Sequence, residues 1–268
     1  MAPDSLPADG ELRLGAVVLP RGRRVVPMDG PGEPVAWVTA EPVPDAGLAW
    51  SALSDAHQQT GLVPILLTRD EQDEDYFFYD PVDVSQVDHM DAASLLAGRW
   101  HSKTYEVSEP GESEDEEFVE YIESAIAPFS RQFPGLAPGE DARLSMAQIH
   151  EALRSLPAAP IGLVTAARPA DVLPTVGWCT TDQFQTALPI AAVLRSWEAR
   201  FGAKLLRVGP GAQIQLLVER PPHTTEAAQA IAAEHFVFCD ECAGQGLRDI
   251  PKITASIVDA AIWTFWWD

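Results

Sequence analysis

The chain has 268 residues, of which 46% are hydrophobic, and its 40 acidic residues against 18 Lys and Arg give a net charge of −22. This length and apolar content suit one large folded domain or two smaller ones and argue against wholesale disorder. A surface of this charge repels phosphate backbones, so we expect no nucleic-acid partner, and basic proteins or cations become the expected partners. The alternative is that the charge serves only solubility.

Most of the negative charge lies in the middle of the chain. Residues 70–123 contain 18 acidic and two basic side chains, whereas residues 195–268 contain nine acidic and seven basic ones. The sequence therefore predicts an anionic middle joined to a C-terminal unit that is close to neutral.

The expected location follows from what the sequence lacks. Three cysteines are too few, and odd in number, for a disulfide scaffold. We find no signal-peptide pattern and no apolar run long enough to span a membrane, so we expect a cytoplasmic protein with no membrane partner. The scarcity of lysine among the basic residues, with abundant Ala and Pro, is typical of GC-rich bacterial genomes.

The N-terminal region, residues 1–133, is predicted to hold short strands and helices in mixed order. The predicted strands are 12–19, 24–27, 35–39, 62–68 and 76–79, and the predicted helices are 45–60, 91–99 and one that begins near residue 118. We expect residues 20–23 to form the turn of a first hairpin. Residues 109–117 contain no apolar side chain and are predicted to be a loop or disordered.

Residues 134–160 are predicted to be a Pro/Gly linker followed by a helix, and residues 161–268 a C-terminal domain. Its predicted strands are 161–165, 204–208 and 213–218, and its predicted helices are 189–201, 224–238 and 251–261. We expect the aromatic tail 263–268 to close the core, because burying several large rings stabilises a small unit by a few kcal/mol each. The fold class is therefore α+β, with small mixed or antiparallel sheets and helices packed on one face.

A helix followed by glycine and a strand occurs twice, around Gly61 and around Gly202, each time with a Trp in the helix. This pattern is either a duplicated unit or a chance repetition of a common local arrangement, and we favour the second interpretation.

The C-terminal part of the chain resembles a known family. The segments that carry the resemblance are Gly177-Trp178, residues 194–203, Arg220-Pro-Pro222, residues 233–239, Gln245-Gly246 and the tail 263–268. Together they are similar to Domain of Unknown Function 4253, and residues 50–67 look similar to the upstream part of longer members. This resemblance implies no reaction, cofactor or partner.

His235, Cys239 and Cys242 form the sharpest candidate for a metal site. Spacings of four and three residues place all three on one face of a continued helix, within reach of one zinc ion. A structural zinc site needs a fourth ligand, which Cys179 or His223 would have to supply. The favoured alternative is that His235 packs near the end of its helix and that the thiols are small buried groups.

Trp178, Trp197 and Arg195 are candidates for the lining of a pocket. The alternative is that Trp197 belongs to the core and that Arg195 forms a surface ion pair with Glu198, one helical turn away. No serine-hydrolase, phosphate-loop, dinucleotide or metalloprotease motif is present, so no catalytic residue is proposed.

These observations leave three functional hypotheses. The first is a non-enzymatic module that binds a basic protein, for example an immunity-like or antitoxin-like inhibitor. The second is an enzyme or zinc protein with a site near His235, Cys239 and Cys242. The third is a structural component of a larger assembly.

Overall fold

A computed structural model describes residues 5–28, 32–68, 78–105, 116–179, 186–209, 212–239 and 249–267. The strands are β1 (Gly10–Leu14), β2 (Val17–Val25), β3 (Ala36–Thr39), β4 (Leu62–Leu67), β5 (Ile161–Thr165), β6 (Ala203–Gly209), β7 (Gln213–Val218) and β8 (Ile262–Trp266). The helices are α1 (Ala46–Asp55), α2 (His57–Thr60), α3 (Ala92–Tyr105), α4 (Glu116–Ile126), α5 (Met146–Arg154), α6 (Val172–Thr175), α7 (Ala187–Phe201), α8 (Thr225–Phe238) and α9 (Ile250–Ile257). The predicted strand 76–79 and loop 109–117 lie largely outside the described residues.

The strands form one eight-stranded sheet in the order β1-β2-β3-β5-β4-β6-β7-β8. The β4–β6 pair is parallel, and the other pairs are antiparallel. The α+β class is confirmed, but the sheet is one large mixed sheet, whereas we had expected small ones. The sequence shows which segments are strands, but it does not show that they all join the same ladder.

Helices cover both faces of this sheet, which corrects the expectation that they pack on one face. On β4, Val63 and Ile65 join the core under α3, α4, α7, α8 and α9. Leu62 and Leu66 point the other way, into a second core under α1 and α5. Alternate strand residues face opposite sides of a sheet, so a strand that is apolar throughout needs cover on both sides.

The first hairpin turns earlier than the sequence suggested. β1 and β2 pair through Leu14 and Val17, and the turn between them contains Gly15 at φ +56°. The predicted turn at residues 20–23 instead lies within β2. Glycine adopts positive φ without steric cost, so the hairpin turn forms at Gly15 and not at Pro20.

The aromatic tail forms β8, the last strand, and so the prediction that it closes the core is confirmed. Trp263, Phe265 and Trp267 are each less than 5% exposed. β8 pairs with β7 along its whole length. The rings therefore fill the core beneath α7 and α8, and they leave no exposed stacking platform at these three positions.

The sheet continues across the predicted linker. β5, the first strand of the unit predicted for 161–268, lies between β3 and β4 of the N-terminal region. Strands from both sides of the linker thus share one ladder, and the division into separate domains stays a prediction. None of the described helices is long and apolar enough to cross a membrane.

Candidate functional site

His235 and Cys239, the described members of the predicted metal site, lie at the end of α8 and are both buried. The thiol of Cys239 donates to the carbonyl of Trp266 at 3.0 Å. Cys242 lies outside the described residues, and within them no group of three His, Cys, Asp or Glu side chains is placed to hold a metal ion. The zinc site therefore stays a prediction.

The ring of His235 is enclosed by aromatic side chains. Its centroid lies 4.5 Å from that of Trp263, 4.8 Å from Phe265 and 4.9 Å from Trp197. Burial, assisted by the nearby charge of Arg200, lowers the pKa of His235 to about 3. The imidazole is consequently neutral at physiological pH and packs as a flat, mostly apolar group.

Trp178, Trp197 and Arg195, the residues of the predicted pocket, have the following described surroundings. Trp178 is buried and meets Trp267 edge-on, at 5.8 Å between ring centroids, while Trp197 is buried among other rings of the same core. The Arg195 guanidinium donates to Asp171 at 2.7 Å and to Asp88 at 2.5 Å. A pocket lined by these three residues stays a prediction.

Arg195 also does not pair with Glu198, as the helical spacing had suggested. Glu198 instead accepts a hydrogen bond from Arg168 at 2.9 Å. Asp171 and Arg168, which follow β5, bind Arg195 and Glu198 in place of the ion pair within the helix. A solvated ion pair one turn apart contributes little, so such tertiary contacts easily replace it.

Glu234 is a fully buried carboxylate that the sequence analysis missed. It accepts from the indole of Trp197 at 2.8 Å, from the backbone amide of Ala137 at 2.7 Å and from two guanidinium nitrogens of Arg200 at 2.7 Å each. Arg200 also donates to the carbonyl of Ala137 at 2.8 Å. This cluster fastens the Pro/Gly segment before α5 onto α7 and α8.

A cavity of about 390 Å³ lies where β4 and β6 begin. Because these neighbouring strands are parallel, their first residues lie side by side at the same end of the strands. Gly61 and Gly202, at φ +66° and +63°, end the preceding helices and turn the chain into each strand. The cavity is lined by Ser54, Asp55, His57, Gln58, Val63, Pro64, Pro169, Glu198 and Lys204.

The polar side chains of this cavity come from two separate parts of the chain. Asp55 and His57 belong to the end of α1 and the start of α2, whereas Glu198 and Lys204 belong to α7 and β6. Burial raises the pKa of Glu198, while the nearby Arg168 acts in the opposite direction. Lys204 donates to Glu219 at 2.6 Å.

Sequence reasoning missed this cavity, although the repeated helix-glycine-strand pattern was a signal for it. The two copies lie side by side, and their ends form the opposing walls. Their tryptophans are not equivalent, since Trp50 lies in one core and Trp197 in the other. The segments that carry the pattern form the two walls, but only the parallel pairing of β4 and β6 shows that these segments meet.

Comparison with known families and structures agrees with the resemblance noted above. Residues 160–268 match the family described as Domain of unknown function (DUF4253). The match begins next to β5 and includes β6, β7, β8 and the helices between them, so it supplies one wall of the cavity. No curated protein and no solved structure matches the chain.

Proposed function

We propose that this chain is a non-enzymatic cytoplasmic protein that binds a basic protein, in the manner of an immunity protein or antitoxin that neutralises its target. A single observation supports the proposal: many of the described basic side chains are bound to groups of the same chain, whereas acidic side chains in the described part of residues 78–123 are exposed. The excess of acidic over basic residues makes the net charge negative. The contacts of the basic residues determine which carboxylates keep an uncompensated charge.

Many basic side chains are tied to groups of the same chain. Those in ion pairs include Arg143, Arg168, Arg195, Arg200, Lys204 and Lys252. Those that donate to backbone carbonyls include Arg24, Arg99, Lys103 and Arg220. The ion-paired cations cancel the charge of the carboxylates that they bind, and the net charge of the whole chain remains −22.

Several acidic side chains in the described part of the middle segment, in contrast, are exposed. Glu120 and Glu123 on α4 are exposed. Asp83 and Asp91 are exposed too, and hydrogen bonds from Ser85 and Ser94 lower their pKa values. Such a surface attracts basic partners over a distance set by ionic strength and raises the rate of association.

The test is capture of a partner from extract of the source cells at low salt, with recovered proteins identified by mass spectrometry. We expect one specific basic protein that high salt releases. The double variant Glu120→Gln/Glu123→Gln should weaken capture, whereas Glu151→Gln/Glu226→Gln, with equal loss of exposed charge elsewhere, should not. Recovery of no specific partner at low salt would overturn the proposal, and recovery within a large assembly would favour a structural role.

The zinc alternative at His235, Cys239 and Cys242 keeps one supporting observation. The Nε2 atom of His235 is buried and has no hydrogen-bond partner among the described residues. Elemental analysis of protein purified without a histidine tag tests this alternative. We expect close to one zinc per chain if it holds, with loss of stability after chelation; metal far below one equivalent removes it.

A further inference from the structure

The cavity at the start of β4 and β6 presents carboxylate acceptors that no described donor occupies. The carboxylate of Asp55 is exposed, and no hydrogen bond or ion pair engages it within the described ranges. Glu198 uses one oxygen, Oε2, to accept from Arg168. Its other oxygen, Oε1, has no described donor, so the two carboxylates leave acceptor sites on the cavity wall.

His57 adds a further acceptor. Its Nε2 lies 2.9 Å from the carbonyl oxygen of Ala166, which can only accept. In the neutral ring, Nε2 therefore carries the proton, and Nδ1 is left with a free lone pair. A backbone carbonyl thus selects the tautomer of a histidine that lines the cavity.

The nearby cationic donors are already engaged. Lys204 donates to Glu219, which also accepts from Arg143 at 2.9 Å. Arg168 donates to Glu198. An anionic ligand would have to share Lys204 and Arg168 with the carboxylates that they already bind. A cationic ligand finds acceptors that no described donor occupies.

The C-terminal ends of two helices also favour a cationic ligand in this cavity. Asp55 is the last residue of α1, and Glu198 lies in the last turn of α7. The carboxyl end of a helix carries partial negative charge, so a cation is favoured there and a carboxylate is not. Burial of Glu198 acts in the same direction, because desolvation raises the pKa of its carboxyl group although Arg168 opposes this, and a bound cation would stabilise the ionised form.

We propose that this cavity binds a primary ammonium or guanidinium group carried on a short alkyl chain. The cationic head group has only hydrogen-bond donors, and it donates to Glu198, Asp55 and Nδ1 of His57. Val63, Pro64 and Pro169 supply apolar surface for the methylenes. This chemistry belongs both to free alkylamines and to lysine or arginine side chains of a protein. The site is proposed independently of the protein partner above.

The test uses the full-length chain labelled with ¹⁵N and titrated with n-butylammonium and n-butylguanidinium. We expect saturable shifts of the backbone amides of Gln58, Lys204 and their neighbours. n-Butanol, which has the same chain without the charge, should give none. Equal saturation by n-butanol, or no shift at these amides with either cation, would overturn the proposal.

Variants separate the site from general attraction to an acidic protein. Glu198→Gln and Asp55→Asn should each weaken n-butylguanidinium binding by about tenfold, since each removes a charge-assisted hydrogen bond. Glu226→Gln removes an exposed charge on α8, away from the cavity, and should bind like the parent. If one cavity variant does not fold, the other still decides, and parent-like binding by a folded cavity variant would contradict the site.

Two further titrations distinguish the sources of the cation. Spermidine represents free amines, and the capped peptides Ac-Gly-Lys-Gly-NH₂ and Ac-Gly-Arg-Gly-NH₂ represent side chains. Tighter saturation by spermidine assigns the site to a small molecule, and tighter saturation by a peptide assigns it to a protein. Partner capture does not enter either measurement, so failure of the protein-binding proposal leaves this result intact.

Discussion

Glu234 shows how one buried carboxylate organises its surroundings. All of its partners are donors: an indole, a backbone amide and two guanidinium nitrogens. The ion pair with Arg200 is nearly dry, since the side chains are 0% and 16% exposed. A buried pair is costly to form but far more costly to break, because the remaining charge has no solvent.

We expect Glu234→Gln to lower the free energy of unfolding by about 3 kcal/mol. Glutamine offers only one acceptor oxygen, and its NH₂ group would face donors. Urea denaturation at neutral pH measures the change, with the exposed Glu226→Gln as the matched control, expected to differ little from the parent. A loss equal to that of the control would show that Glu234 does not hold the cluster together.

His235 makes stability depend on pH. Its pKa in the folded protein is about 3, below the ordinary value of 6.5, so the unfolded chain binds the proton first. Stability is then complete above about pH 6.5 and falls as the pH drops towards 3, by ~1.4 kcal/mol per pH unit for this one group.

The variant His235→Leu should therefore lose less stability than the parent between neutral pH and pH 4, whatever its stability at neutral pH. Urea midpoints at several pH values give the two slopes. His89→Gln, at an exposed histidine, serves as the control and should keep the parental slope. Equal slopes for His235→Leu and the parent would contradict a neutral buried imidazole.

At the scale of secondary-structure elements, the packing of α1 on α5 depends on one glycine. A Cβ added to Gly47 would overlap the backbone carbonyl of Leu153, lying 2.9 Å from its carbonyl carbon. Helix propensity alone would favour Ala over Gly by about 1 kcal/mol. The close approach of the helices should outweigh this gain, because a backbone cannot move aside as a flexible side chain does.

We expect Gly47→Ala to destabilise the protein by about 1–3 kcal/mol. Gly98→Ala provides a matched comparison inside α3, where an added Cβ meets nothing within 4 Å. That substitution should stabilise by ~0.5–1 kcal/mol, since only the propensity difference acts there. Thermal and urea unfolding of both variants gives the signs; a stabilising Gly47→Ala would disprove the close packing.

At the scale of the whole molecule, the shared sheet has a consequence for the predicted domains. The family match begins at residue 160, yet among the described strands the neighbours of β5 are β3 and β4. In a fragment of residues 160–268, β4 is missing between β5 and β6. The edge of β6 and the apolar faces of β5 would then be left uncovered.

We therefore expect the fragment 160–268 to show no cooperative unfolding transition, in contrast to the full chain. Circular dichroism during urea titration and the dispersion of an ¹⁵N spectrum are the measurements. Adding the separate fragment 5–159 should restore order if the missing strands are the cause. A sharp transition of 160–268 alone would support the independent C-terminal domain predicted from the sequence.

The sequence by itself determined many of the local elements, although not the turn of the first hairpin. β5 was predicted with the bounds that the structure shows, and α7 and the β6–β7 hairpin were close to theirs, because periodicity, glycine ends and proline positions act within one element. The prediction that the aromatic tail closes the hydrophobic core followed from its composition, since burial of several large rings stabilises the folded state.

Only the tertiary structure decided how these elements meet. The insertion of β5 between β3 and β4, the partners of Arg195, the burial of Glu234 and the cavity beside Glu198 all join residues far apart in the chain. Such pairings depend on competition among many contacts of similar energy, and a local pattern does not rank them. The acidic composition predicted a cationic partner, and the fold places the cavity of the proposed cation site between the two copies of a pattern that the sequence repeats.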